Sequence, residues 1–115
     1  MQAALPRIGR EELKERIGGA EDFMLVDALS PISYARSRLP GAVNLPPDSV
    51  DEWAPRRLPN RDAEVVVYCR DVDCDSSVVV GRRLIELGYR NVRHYADGKD
   101  DWVAAGLPLE RSSQA

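Results

Sequence analysis

Glu64-Val65-Val66-Val67-Tyr68-Cys69-Arg70-Asp71-Val72-Asp73-Cys74-Asp75-Ser76-Ser77 is the stretch on which the fold turns. Three β-branched residues in succession suit a central strand buried on both faces, as in a parallel sheet. From Ser76 to Leu87 the pattern changes. Val80, Leu84 and Leu87 recur at helical spacing, and Gly88 supplies a C-terminal stop. The stretch therefore reads as a strand ending in Cys69, a short acidic loop and a helix, the unit from which parallel α/β sheets are assembled.

The same alternation extends in both directions. Upstream, Leu5 to Ile8 reads as an extended entry, and Glu11 to Ile17 as a short helix with Leu13 and Ile17 on one face, ended by Gly18-Gly19. Phe23 to Val26 is a buried strand that delivers Asp27 at its carboxyl end. Ser30-Pro31 starts a turn of helix through Ser37. After the Leu39-Pro40-Gly41 turn, Ala42 to Leu45 is a second strand, ended by Pro46-Pro47. Asp48 or Ser49 caps a brief helix through Trp53, and Pro55 to Arg61 reads as loop. Downstream, Val92 to Tyr95 is a further strand, Asp97-Gly98 a turn, and Lys99 to Ala105 a last helix ended by Gly106. The expected fold is a single α/β domain over residues 1–110, with a mainly parallel central sheet flanked by helices on both faces and a frayed tail over 111–115.

Composition narrows the function. A chain of 115 residues has room for one core. A net charge of −3 without a basic cluster argues against nucleic acid as a partner. No apolar run approaches the roughly 20 residues of a membrane-spanning helix, so no membrane partner is expected. Residues 1–10 lack an apolar core of secretory type, which makes the cytoplasm the expected location. Two cysteines are too few for a disulfide-built fold and fit a reducing compartment. One histidine and two cysteines do not supply a metal site.

In open α/β sheets ligands bind beyond the carboxyl ends of the strands. Cys69 stands at such an end, just before a loop that runs into a helix N-terminus. A thiol is nucleophilic as its thiolate, and unpaired amides and the positive end of a helix dipole favour that form. Successive amides of the loop Arg70, Asp71, Val72, Asp73, Cys74 and Asp75 can add an anion cradle. A free cysteine is otherwise a small buried hydrophobe. The junction position favours the reactive reading.

The residues resemble the single-domain rhodanese (thiosulfate sulfurtransferase) family. The likeness runs through Met24-Leu25-Val26-Asp27, Leu39-Pro40-Gly41-Ala42-Val43-Asn44-Leu45-Pro46 and Val66-Val67-Tyr68-Cys69-Arg70. It continues in Leu87-Gly88-Tyr89-Arg90-Asn91-Val92, Asp97-Gly98, Trp102 and Ala105-Gly106-Leu107-Pro108-Leu109-Glu110. The resemblance implies that Cys69 carries sulfur as a persulfide and that Arg70 to Asp75 cradle it. It also implies transfer in two steps: from thiosulfate or a persulfide to Cys69, then to cyanide, a small thiol or another protein's cysteine. No cofactor is implied.

The loop departs from the family's commonest form. It has no glycine between Cys69 and Gly81, and it is similar to a variety written Cys-x4-Cys-x-Ser, met here by Cys69, Cys74 and Ser76. One positive charge (Arg70) faces three negative ones (Asp71, Asp73, Asp75). Such a loop opposes an anionic donor and favours a neutral or protein-bound persulfide. If the aspartates point outward, with Asp75 capping the following helix, that opposition weakens. Ala28-Leu29 and Arg38 stand where the family often has an arginine and a histidine, and Asp27 is expected to anchor the neighbouring turn.

Three rivals belong to other classes. A related fold family of phosphatases and arsenate reductases needs arginine six residues after the cysteine, where this chain has Asp75. Cys69 and Cys74 could instead form a redox pair, with Cys74 resolving a persulfide or sulfenic acid as in a thiol sensor; alternatively Cys74 packs beneath the loop. A non-catalytic rhodanese-like binding module is the third. Among the remaining residues, His94, Trp53 and Trp102 read as packing groups. Arg56-Arg57 and Arg82-Arg83 read as solvated pairs, the latter able to add positive field behind the loop.

Overall fold

In the computed structural model, which describes residues 5–19 and 22–111, the valine-rich stretch is an interior strand of a parallel sheet. In chain order the elements are α1 (Arg10–Gly19), β1 (Phe23–Asp27), α2 (Pro31–Arg36), β2 (Val43–Asn44), a single 3-10 turn (Pro47–Ser49), α3 (Val50–Arg57), β3 (Glu64–Tyr68), α4 (Ser76–Glu86), β4 (Asn91–Tyr95) and α5 (Gly98–Ala104). The sheet order is β2-β1-β3-β4, and all three pairs are parallel. The extended entry adds a parallel bridge outside β4: Ile8 N donates to His94 O (3.1 Å) and His94 N to Pro6 O (2.8 Å).

Strand alternation divides the core in two. Val65 and Val67 of β3 face one side with Val26, Leu58, Val80 and Leu84, where α3 and α4 pack. Val66 and Tyr68 face the other with Leu13, Leu25, Tyr95 and Trp102, where α1, α2 and α5 pack. All four of these β3 residues are fully buried, and each buried valine is worth roughly 1.5–3 kcal/mol. The connection from β1 to β2 carries α2 on one face, whereas those from β2 to β3 and from β3 to β4 run the opposite way with α3 and α4 on the other face. The three crossovers thus share one hand, as parallel sheets require. Leading away from β1 and β3 in opposite directions, they part at the carboxyl ends of these strands, the place where such sheets form a ligand crevice.

Several boundaries differ from the sequence expectation. Helix α1 runs through Gly18 and Gly19. Strand β2 shortens to Val43–Asn44, and α5 begins at Gly98. Strand β3 ends at Tyr68, leaving Cys69 as the first residue beyond it. Pro55 lies inside α3, not at the start of a loop. Around it Ala54 and Leu58 are buried, and the Tyr89 hydroxyl lies within hydrogen-bond distance of both their carbonyls (3.1 and 2.5 Å). Asp75 occupies the N-cap position of α4, but its side chain makes no capping bond. Of the expected tail 111–115, Arg111 lies outside regular structure and 112–115 fall outside the described residues, as do residues 1–4 of the expected domain.

The head of α5 seats the loop after β3. Lys99 N donates to Cys69 O (3.0 Å) and Asp100 N to Arg70 O (2.8 Å), so two amides that a helix leaves without internal partners hold the chain where it leaves the strand. The approach requires a glycine. Gly98 has φ +77°, and a Cβ there would stand 2.6 Å from Arg70 O. Gly98→Ala is expected to lower stability by about 1–3 kcal/mol from backbone strain alone, read as a reduced urea midpoint. Burial holds the His94 imidazole below its ordinary value of 6.5, so the folded state disfavours its protonation. The stability it contributes is present above that value and lost as pH falls through the folded value. The urea midpoint is expected to fall between neutrality and about pH 5, and less steeply in His94→Gln.

Candidate active site

Cys69 follows β3 directly, beside β1, where Ala28 N donates to Tyr68 O (3.0 Å). This is the crevice at which the crossovers part, the position expected of a ligand site. Cys69 is 1% exposed, and its sulfur is bonded to that of Cys74, with the two Cα atoms 6.1 Å apart. Cys74 is half-buried. The expectation that it packs beneath the loop is therefore corrected: it is joined to Cys69 by a covalent bond.

Asp71 folds the loop. Its backbone carbonyl accepts from Cys74 N (3.2 Å) and its carboxylate from Asp73 N (3.0 Å). Two amides expected in a cradle are thus engaged by Asp71 in this disulfide state. Among the described residues only glycines have positive φ, so the loop turns without left-handed residues, which explains how it dispenses with glycine. Val72, Asp73 and Asp75 are exposed, as is Arg70, which stands 3.7 Å from the Asp71 carboxylate. Asp73 and Asp75 face outward, while the Asp71 carboxylate turns onto the loop. Their field acts from the rim, while the α4 amides that lack intrahelical partners lie just beyond Asp75.

The floor of the crevice is a buried hydrogen-bond hub. Asp27 is fully buried; one carboxylate oxygen accepts from Leu29 N (2.8 Å), the other from the Tyr68 hydroxyl (2.7 Å). The same hydroxyl accepts from Leu39 N (3.0 Å). Asn44 Nδ2 donates to Asp27 O (3.1 Å) and Leu29 O (2.8 Å). Asp27 thus anchors its turn as expected. Burial pushes its carboxyl up while Tyr68 and Leu29 pull it down. Burial and the Asp27 charge push the Tyr68 hydroxyl far up, keeping it a donor. Lys99 Nζ donates to Ser37 O (2.7 Å); burial pushes the ammonium down and Asp27 pulls it back up.

Other sequence candidates have structural work. Arg83 pairs with Asp51 through two 2.6 Å bonds and with Glu86, so it is not a free source of field behind the loop. Arg57 is not a solvated partner of Arg56 either: it stacks on Trp53 (4.0 Å to the ring centroid) and donates to Asn44 O (2.5 Å). Arg38 lies over the Tyr34 ring and bonds Tyr34 O (3.0 Å). Trp102 is buried, with its Nε1 on Pro108 O (2.8 Å). A cleft of about 180 Å³ lies at the amino end of β1, near Ile17, Phe23 and Gly41, at the far end of the strands from Cys69. The sequence reading missed the Tyr68 hydroxyl and the Gly98-Lys99-Asp100 clamp. A tyrosine ending a strand level with a buried aspartate, and a glycine opening a helix at the sheet's carboxyl end, are the signals that could have revealed them.

Comparison with known proteins follows the same lines. Residues 9–105 match the family described as a rhodanese-like domain. A sulfurtransferase of Allochromatium vinosum is 32% identical over 104 residues, covering 89% of this chain and 92% of the relative. The HTH-type transcriptional regulator Rv0324 of Mycobacterium tuberculosis is 33% identical over 107 residues, covering 92% of this chain, which spans 45% of that protein. Among solved structures, BH2092 of Bacillus halodurans superposes with a TM-score of 0.85 at 20% identity, over 92% of this chain and 77% of that one. A thiosulfate sulfurtransferase of Pseudomonas aeruginosa superposes with a TM-score of 0.82 at 24% identity, over 94% of this chain and 20% of that one. These two likenesses carry the fold, and the match over residues 9–105 carries the family: the chain belongs to the rhodanese-like domain family.

Proposed function

We propose that the protein is a sulfurtransferase in which reduced Cys69 accepts a sulfane sulfur and passes it on. The thiolate attacks the outer sulfur of the donor, and sulfite leaves if the donor is thiosulfate, or a thiol if it is a persulfide. The Cys69 persulfide then yields its outer sulfur to cyanide, a small thiol or a partner protein's cysteine. Covalent catalysis of this kind divides one transfer into two easier ones. Arg70 to Asp75 form the wall of the site, and no cofactor enters either step. The reading treats residues 1–110 as one catalytic unit in a reducing setting such as the cytoplasm, where the Cys69–Cys74 bond is open. Among the described residues no helix is long and apolar enough to cross a membrane.

The observation that carries this reading is the position of Cys69: one residue past the central strand, in the crevice where the crossovers part, within bonding reach of the loop that leads into α4. Two relatives lend support: the Allochromatium vinosum sulfurtransferase and a putative sulfur carrier protein, YrkF, of Bacillus subtilis, 23% identical over 88% of this chain and 52% of that one. The outward aspartates bear on the donor. A surface charge a few ångströms from an approaching anion opposes it by about 1 kcal/mol, so a doubly charged donor is disfavoured against a neutral or protein-bound persulfide.

A turnover assay on protein kept reduced by excess dithiol, with thiosulfate and a neutral alkyl persulfide side by side, cyanide present, and thiocyanate plus sulfide summed as product, tests the reading. Turnover is expected to be faster with the neutral donor and to fall to background in Cys69→Ser. Asp73→Asn is expected to lower the KM for thiosulfate by about fivefold, the equivalent of that one surface charge. A Cys69→Ser protein as active as the native one would remove the assignment.

A further inference from the structure

Sulfur transfer as described uses one cysteine, and the structure holds two in bonding contact. They are held differently. The backbone of Cys69 is fixed by β3 on one side and by Lys99 N and Asp100 N on the other. Cys74 lies five residues on, past an exposed turn in which Cys74 N and Asp73 N both bond Asp71 within the loop itself. Cys69 is the fixed sulfur, and Cys74 is carried on a segment tied mainly to itself. Cys74 is also the more exposed of the two.

We propose that Cys74 is a second reacting cysteine that discharges the Cys69 persulfide, so that the protein releases its sulfane sulfur as hydrosulfide. The step rests on the reading that Cys69 accepts sulfur. The Cys74 thiolate attacks Sγ of Cys69, the inner sulfur of the persulfide. The Sγ–Sγ bond forms, the bond to the outer sulfur breaks, and that sulfur departs as HS⁻. The outer sulfur gains one electron, the Cys74 sulfur gives up one, and the Cys69 sulfur, already oxidised in the persulfide, is unchanged. The product is the disulfide seen in the structure. A dithiol reductant must return it to two thiols, itself becoming a disulfide, before the next cycle.

Two observations favour the internal route over transfer to a dissolved acceptor. A group held within bonding reach competes at an effective concentration of about 10⁵ M or more when well oriented, and the two Cα atoms here stand 6.1 Å apart. The exposed Asp73 and Asp75, with Asp71 at the base of the turn, hinder an incoming anionic thiolate and assist the departure of HS⁻.

Single-turnover loading distinguishes this step from sulfur acceptance itself. Pre-reduced protein is mixed with one equivalent of a neutral alkyl persulfide, without added acceptor or reductant; sulfide is quantified, and the protein is digested and mapped by mass. The native protein is expected to release close to one sulfide per chain and to yield the Cys69–Cys74 disulfide peptide. Cys74→Ser is expected to retain one extra sulfur on the Cys69 peptide and to lose the sulfide release, and Cys69→Ser to show neither. A native protein that keeps the extra sulfur and releases no more sulfide than Cys74→Ser overturns the role of Cys74 while leaving sulfur acceptance standing. A Cys74→Ser protein that gains no sulfur on Cys69 overturns both.

Discussion

The chain leaves the central strand under tight restraint, and the rest of the site depends on it. The last strand residue, Tyr68, pairs with β1 and β4 at once, and the next two carbonyls, of Cys69 and Arg70, are taken by amides of Lys99 and Asp100. Gly98 permits the approach because any Cβ would meet the Arg70 carbonyl. An element near the end of the domain thus fixes the position of a cysteine some thirty residues earlier. The loop that follows, 70–75, is left to turn on its own bonds.

Beneath this clamp the sheet end is polar but satisfied. A buried carboxylate is costly without partners. Asp27 has a backbone amide on one oxygen and the Tyr68 hydroxyl on the other, and that hydroxyl is itself bonded to Leu39 N. The hub joins β1, β3 and the turn before β2. Burial and hydrogen bonding act on Asp27 in opposite directions, with burial the larger. The outer face of the site differs: three aspartates and one arginine line the loop, with Asp73, Asp75 and Arg70 exposed and their fields correspondingly screened. Short-range restraint below and weak charge above together let a small thiol site tolerate acidic company.

Much of this was legible in residue order. The Val65-Val66-Val67 run located the central strand, the Val80-Leu84-Leu87 spacing located α4, and their junction located Cys69, because composition and period report burial directly. Ser30-Pro31 marked α2 for the same local reason, and its cap bond from Ser33 N to Ser30 Oγ is present. What escaped is non-local. Pro55 sits inside a helix because buried neighbours hold that turn, which a local rule cannot register. Arg57 and Arg83 look like spare surface charges until the fold brings Trp53, Asn44 and Asp51 to them. Whether Cys74 packs against Cys69 or bonds to it depends on how six loop residues turn, and the turn is set by Asp71, a residue whose sequence signal was its charge.

The central claim is that Cys69, once freed of Cys74, is a reachable and ionised nucleophile. The most direct measurement is the rate at which pre-reduced Cys74→Ser protein reacts with an uncharged alkylating reagent at neutral pH, compared with free cysteine and with the same protein in urea. A strand-end thiol whose ionised form the loop and the start of α4 stabilise is expected to react faster than free cysteine and to lose that advantage on unfolding. A thiol that stays inert in the folded protein and reacts only after unfolding would contradict the account.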